Sequence, residues 1–516
     1  IDKITIIMSL LLLIVAAIIL LRVYANIGLG WDFTDLYLTG KSLLNPAFYQ
    51  QHLPVNDTYF TYVGKIPIGH ISLFYITSSH IYISIVREPV VPVLLALMIL
   101  ISSTYAIQIY LVLLLALLLV ASFFVSKRLD TNPLLLCALL ISSYVLQWTV
   151  FYTSQEILSI ILALVAMGLL IKKSPTAGIA LALIGLTKYP GLILLPTILL
   201  LFDSGNVKHQ WRKVFKAGTL FILTTLPWLL FNFVYYGSPI RSYVLALFEA
   251  NSNNSGGFGI SQLFAALLGF PLVLAYPVLV MAMVFAAVKV YAHIKNPKSH
   301  AANRAHKTPS TSSEANKHGL VSAIYSLDYR YKVVISFILL SALGFIIVYN
   351  NVGVPERFGY LLYVSVAVLV ALMAEGMVEK SSRIKALVPY VLCLVSLLIL
   401  LYLYISITPG NSQNWAMSEG SVNNATIKSA VANFSISNVK NCAVISNAWP
   451  FLNYYNIVAY PSDLPACPPA LSNYPVVIFK NIGLNEVCGQ SIDTKGLPTY
   501  GYLIGASHNY VCQNTS

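Results

Sequence analysis

The chain has 516 residues, 58% of them hydrophobic and 9% charged, a balance that excludes a water-soluble globule. Its 31 Lys and Arg against 18 Asp and Glu give a formal net charge of +13. The basic residues sit mainly in short loops between apolar runs, where they act as signals of membrane orientation, so the positive balance is no argument for nucleic acid.

The apolar runs are about 20 residues long and lack a period-2 alternation, so helices rather than barrel strands are expected to cross the bilayer. In chain order the runs predict spans over 4–22, 66–86, 90–106, 107–126, 133–151, 154–171, 176–187, 189–202, 217–236, 262–288, 333–350, 358–378 and 386–407. The expected fold class is an all-α multi-pass membrane bundle of about 13 transmembrane helices with a small C-terminal α/β soluble domain. The division near Ser103 and the pair of spans flanking Lys188 each split one long apolar stretch at a tight or polar turn.

With the N-terminus in the cytoplasm, about two thirds of the Lys and Arg residues fall on the cytoplasmic side, among them Lys3, Arg87, Lys127, Arg128, Lys172 and Lys173. Glycosylation triplets at Asn56, Asn253, Asn424, Asn433 and Asn514 all fall on the other side. Arg22, just before the small-residue stretch Val23-Tyr24-Ala25, fits a cleavage site poorly, so the first run is expected to be a retained anchor.

Three hydrophilic regions interrupt the spans. The first external loop, 23–65, is rich in aromatics and Gly and carries Asp32, Asp35, Lys41, Asp57 and Lys65. The cytoplasmic stretch 289–332 is basic and Ser/Thr/Ala/Pro-rich, the composition of a disordered linker. Residues 408–516 follow the last run as an external soluble domain, so that 1–407 forms the membrane domain. Strand-like CAVIS and YPVVIFK with helix-like NNATIKSAVANF suggest a small α/β unit. Cys442, Cys467, Cys488 and Cys512 lie there without metal-like spacing and suit two disulfides of open connectivity.

Ionisable side chains in apolar runs are functional candidates, because a charge in hydrocarbon costs several kcal/mol or more. Those within or beside the runs are Glu156, Lys188, Glu249, Arg357 and Glu375. On the proposed topology Asp32, Asp35, Lys65, Glu156, Lys188, Arg241, Glu249 and Arg357 gather near the external interface. A carboxylate among several cations at a membrane surface suits transfer from a phospholipid-linked sugar: the acid deprotonates an acceptor hydroxyl while the cations neutralise the phosphate leaving group. The plain alternative is that interfacial Lys and Arg extend to water and surface Asp residues are solvated.

The segment WDFTDLYLTGKSLL (31–44) resembles the opening motif of glycosyltransferase family 87, the polyprenyl-phosphate-mannose-dependent mannosyltransferases of the GT-C superfamily. Three later segments, FTYVGKIPIGH (60–70), YTSQEILSIILAL (152–164) and AGIALALIGLTKYPGLILLP (177–196), resemble further elements of that family in the same order. Ser154 stands where the family has Gly, and the family's Asn is absent. LPWLLFNFVYYGSPIRS (226–242), VPERFGYLLY (354–363) and the C-terminal domain are more similar to family 39 and aminoarabinose-transferase-like members.

The resemblance implies thirteen spans, a lipid-linked sugar donor, a glycan, lipid or protein acceptor, and no metal or other cofactor. It makes Asp32 the catalytic base, with Asp35 the alternative, and turns Lys65, Lys188 and Arg357 toward the lipid phosphate. Gln155, Glu156, Tyr189 and Arg241, in or beside the matching segments, complete the expected substrate-binding set. A transporter or lipid flippase is the main competing class, but the two halves show no self-similarity of the kind transporters carry. A scaffold that merely displays 408–516 would leave the first-loop motif and Lys188 without a role.

Overall fold

The computed structural model describes residues 31–44, 88–141, 155–202, 207–236, 328–352 and 359–378. Shorter described pieces are 75–76, 82–83, 238–240, 242–243, 444–446, 454, 459–461, 476–479, 486–487, 490–491, 499–500 and 503–504. Most of this is helix: α1 (Trp31–Leu44), α2 (Val90–Ile101), α3 (Ala106–Leu129), α4 (Pro133–Ile141), α5 (Glu156–Ile171), α6 (Ala177–Thr187), α7 (Val207–Tyr236), α8 (Tyr329–Val352) and α9 (Tyr360–Val378). A 3-10 helix, Tyr189–Leu201, sits between α6 and α7. Among the described residues, Ala106–Leu129 and Gln210–Val234 are long and apolar enough to cross a membrane.

The core is aliphatic and continuous, with Leu114, Leu118, Val125, Ile157, Leu164, Ala166, Leu170, Leu181, Val364 and Ala367 buried across α3, α5, α6 and α9. Small residues let these helices approach. A side chain at Gly178 would meet the Ala217 carbonyl of α7, and one at Gly40 would come within 2.7 Å of the Pro92 carbonyl, so α1 and α2 cross with backbones nearly touching. That contact gives the Gly of the 31–44 motif a packing reason.

One end of the bundle gathers the basic residues expected to be cytoplasmic. The Tyr329 hydroxyl donates to the carbonyls of Leu200 at 2.7 Å and Leu170 at 3.2 Å. Arg330 donates to the Leu129 carbonyl at 2.9 Å and pairs with Asp130 at 3.0 Å and Asp328 at 2.8 Å. Lys173 lies 4.7 Å from the Tyr329 ring centroid. The start of α8 thus ties the ends of α3, α5 and the 3-10 helix through carbonyls at their last turns. Arg330 holds the Asp328 carboxyl below its ordinary value through that hydrogen bond.

Two expected spans require correction. The run at 66–86 contains an antiparallel strand pair, β1 (Tyr75–Ile76) with β2 (Tyr82–Ile83), which is not a membrane helix. The run at 90–106 breaks at residues 102–105, and its helix α2 has only 12 residues, about 18 Å against a hydrocarbon core of about 30 Å. Val91, Leu95 and Met98 of α2 are buried, while Val93, Leu97, Leu100 and Ile101 are exposed. Residue 88 lies at the end opposite Arg330, beside residues 155 and 189, and Arg87 lies outside the described residues. The expected spans 4–22, 262–288 and 386–407, and residues 142–151 of another, lie outside the described residues.

In the C-terminal region, β3 (Val444–Ser446) pairs in parallel with β4 (Ala459–Pro461) and β5 (Val476–Phe479), and β9 (Leu503–Ile504) joins β5 and β8 (Thr499–Tyr500) antiparallel. The sheet order is β4-β3-β5-β9-β8, and β6 (Glu486–Val487) and β7 (Gln490–Ser491) form a separate hairpin. Parallel neighbours need crossover connections; the expected helix and the four cysteines here lie outside the described residues. Tyr454, from the β3 to β4 connection, packs edge-on against Tyr37 of α1, ring centroids 5.1 Å apart.

Candidate active site

The polar side chains converge at the end of the bundle opposite Arg330, where α6 stops and the 3-10 helix begins. Pro190 explains the break: it has no N–H to donate to the carbonyl four residues back and its ring crowds that carbonyl, so α6 cannot continue through it. Lys188 is extended, with φ −157° and ψ 117°, and serves both as the last cap of α6 and the first of the 3-10 helix. Its N–H donates to Ile184 and its carbonyl accepts from Gly191, both at 2.9 Å.

The break carries Lys188 into a buried position. Its ammonium forms an ion pair and hydrogen bond with Glu156, the first residue of α5, and the side chains are 4% and 0% exposed. Lys188 also lies 5.3 Å from the ring centroid of Tyr360, at the start of α9. Glu156 stands in the first turn of α5, where the exposed N–H groups of a helix end favour a negative charge.

Next to this pair lies a carboxylate that no pattern in the sequence singles out. Glu88, 6% exposed, precedes α2 by two residues. Its Oε1 accepts the N–H of Tyr189 at 2.9 Å, and its Oε2 accepts from Gln155 Nε2 at 3.1 Å. The Tyr189 N–H opens the 3-10 helix and has no partner within it. The Tyr189 ring lies 4.2 Å from that of Tyr243, centroid to centroid. In sequence, Glu88 between Arg87 and Pro89 looks like an ordinary polar turn between apolar runs. The available signal was its place immediately before a helix.

Of the expected site residues, the fold brings together Gln155, Glu156, Lys188 and Tyr189. Asp32 and Asp35 lie within the first five residues of α1, which is held to α3 by Phe33 against Tyr110, centroids 6.1 Å apart, and to α2 at Gly40. Lys65, Arg241, Glu249 and Arg357 lie outside the described residues. Among the described residues no three His, Cys, Asp or Glu side chains come together as a metal site would require.

Residues 88–311 match the model of Glycosyltransferase family 87. The match covers less than half of the chain and includes Glu88, Gln155, Glu156, Lys188 and Tyr189 but not the motifs at 31–44 and 60–70. No curated protein matches the chain. Among solved structures it is similar to the archaeal oligosaccharyltransferase AglB from Archaeoglobus fulgidus in complex with an inhibitory peptide and a dolichol-phosphate, at 13% identity and TM-score 0.48, covering 92% of this chain and 69% of that one. The apo form of the Archaeoglobus fulgidus oligosaccharyltransferase gives 14% identity and TM-score 0.43, covering 88% of this chain and 64% of that one. Its complex with Zn and sulfate gives 14% and 0.45, with coverages of 91% and 68%.

Proposed function

We propose that the chain transfers a sugar, mannose or another hexose, from a polyprenyl-phosphate donor to an acceptor hydroxyl on a glycan, lipid or protein at the external membrane face. The observation that carries this reading is the family 87 match over residues 88–311, the segment that buries Glu156 and Lys188 at one end of the bundle. A sugar on phosphate already has a good leaving group, so the remaining task is to deprotonate the acceptor as it attacks the anomeric carbon. Asp32 is the base, with Asp35 the alternative. A single displacement inverts the anomeric centre.

Lys188 neutralises the donor phosphate in surroundings where water is scarce and electrostatic interactions are strong. Glu156 already balances that ammonium, so further neutralisation of the anion falls to Lys65, Arg241 and Arg357. Gln155 and Tyr189 offer an amide and a phenol to sugar hydroxyls. The donor is a substrate, and the reading uses no metal or other cofactor. The chain is placed in the cell membrane with its N-terminus cytoplasmic and 408–516 external, where two disulfides join the four cysteines. Membranes carrying the protein, incubated with radiolabelled polyprenyl-phosphate mannose or glucose, are expected to yield a labelled glycan, lipid or protein product. Absence of protein-dependent label from either donor would overturn the reading.

A further inference from the structure

The end of the bundle that holds Arg330 brings two further cations together. α3 and α5 both run toward it: Arg330 takes the Leu129 carbonyl, and Tyr329 the Leu170 carbonyl. The two helices touch where the Phe124 ring fills the space that a side chain at Gly168 would need. One turn on, along the same faces, come Arg128 of α3 and Lys172, the residue that caps α5. The Arg128 guanidinium lies 5.6 Å from the Phe124 ring centroid, and its Nε is buried and makes no hydrogen bond among the described residues. Lys172 and Lys127, the residue before Arg128, are exposed. The nearby carboxylates Asp130 and Asp328 pair with Arg330. Among the described residues, Lys127, Arg128 and Lys172 form no ion pair.

We propose that Arg128 and Lys172, with Lys127 beside them, form a binding site for the phosphate headgroup of an anionic membrane phospholipid. Like charges brought side by side raise each other's energy, and an anion shared between them removes that cost. A guanidinium offers N–H donors in a fixed fork that matches phosphate oxygens, and an ammonium adds a point charge. Place points to a lipid as the source of the phosphate. α3 is long and apolar enough to cross a membrane, and its exposed apolar residues Val112, Val120 and Phe123 end one turn before Lys127. The cations therefore stand where hydrocarbon gives way to headgroups. A phospholipid bound there would lay its chains along that apolar face while its phosphate meets the cations, whereas a free anion would use the charges alone. Basic residues at this end also orient the chain in the membrane, but orientation asks only for charge on one side and not for a guanidinium held over a ring. The site is independent of the transfer reaction proposed for the other end.

The test titrates the full-length protein in detergent with phosphatidylglycerol, with phosphatidylcholine and with inorganic phosphate, bound lipid being counted by native mass spectrometry and bound phosphate by calorimetry. The parent is expected to take up phosphatidylglycerol at concentrations where phosphatidylcholine and phosphate do not bind. Arg128→Gln and Lys172→Gln are each expected to weaken that binding about fivefold, and the double variant about twenty-fivefold. Arg212→Gln with Lys216→Gln is the control. It removes the same charge from exposed positions of α7, near the same end, where Trp211 packs on Phe202, and it is expected to stay within about twofold of the parent. Equal weakening in the control would overturn the site in favour of a diffuse charge effect. Phosphatidylcholine bound as tightly as phosphatidylglycerol would leave only apolar contact. Inorganic phosphate bound as tightly as the lipid, with the same losses in the variants, would make this a free-anion site and overturn the lipid assignment. If Arg128→Gln does not fold, Lys172→Gln and Lys127→Gln decide against the same control.

Discussion

The two ends of the helical bundle handle charge in opposite ways. At the Arg330 end the guanidinium is about one-third exposed and its partners Asp130 and Asp328 are 80% and 43% exposed. There the charges are solvated, and the cohesion comes from hydrogen bonds to the helix-end carbonyls of Leu129, Leu170 and Leu200. At the Lys188 end the ion pair is almost wholly buried. A pair withdrawn from water recovers its desolvation cost only through close geometry, and on stability grounds alone apolar residues of the same size would serve as well. The buried pair therefore calls for a reason other than stability, which the exposed pair at the other end does not.

The largest effect expected from this contrast is on stability. Lys188→Ala takes the ammonium away from buried Glu156 and is expected to cost about 3–5 kcal/mol, read as a fall in thermal unfolding temperature in detergent. Earlier expectation from sequence alone assigns Lys188 chiefly to the donor; the ion pair makes it structural as well. Replacing both partners, Lys188→Met with Glu156→Leu, is expected to restore most of the stability while transfer remains absent. Recovery of transfer in the double variant would make the pair a fastening like that of Arg330.

Asp32→Asn is expected to lower the transfer rate at least about a hundredfold with normal expression, since the amide cannot take a proton from the acceptor. Near-parental transfer in that variant, with loss in Asp35→Asn, would move the base one turn along α1. Substitutions at the Arg330 end are expected to leave transfer intact.

Smaller effects belong to that other end. Tyr329→Phe removes the hydroxyl from two carbonyls and is expected to cost about 1 kcal/mol in stability with unchanged transfer. Asp328→Asn is expected to cost less than about 1 kcal/mol, because the pair is solvated and screened. Arg330 lowers the Asp328 pKa from its ordinary 3.8. The stabilisation is therefore complete above that ordinary value and is lost as pH falls below it through the folded-state value. Unfolding of parent and Asp328→Asn compared at pH 7 and in the acid range is expected to show a difference that closes in acid; a gap that persists would assign the effect to packing.

Much of the Lys188 end was legible before any coordinates. A lysine interrupting an apolar run must find water or an anion, Pro190 forces a break beside it, and Glu156 heads another apolar run, so each announces itself locally. The helices at Ala106–Leu129, Glu156–Ile171, Ala177–Thr187 and Tyr360–Val378 followed from run length in the same way. Glu88 and α2 did not, because their meaning is set by tertiary contacts. Hydropathy cannot tell a short helix packed on other helices from one facing lipid. Nor can it show that residue 88 returns to residues 155 and 189.

The order of the ion pair in the chain also has a consequence in time. Glu156 precedes Lys188 by 32 residues, which at a synthesis rate of about 5–20 residues per second is an interval of about 2–6 seconds. During that interval α5 has left the ribosome and its counter-ion has not. The ion pair therefore closes only after α6 has been made, so the buried arrangement around Glu156 is completed later in the order of synthesis than α5 itself.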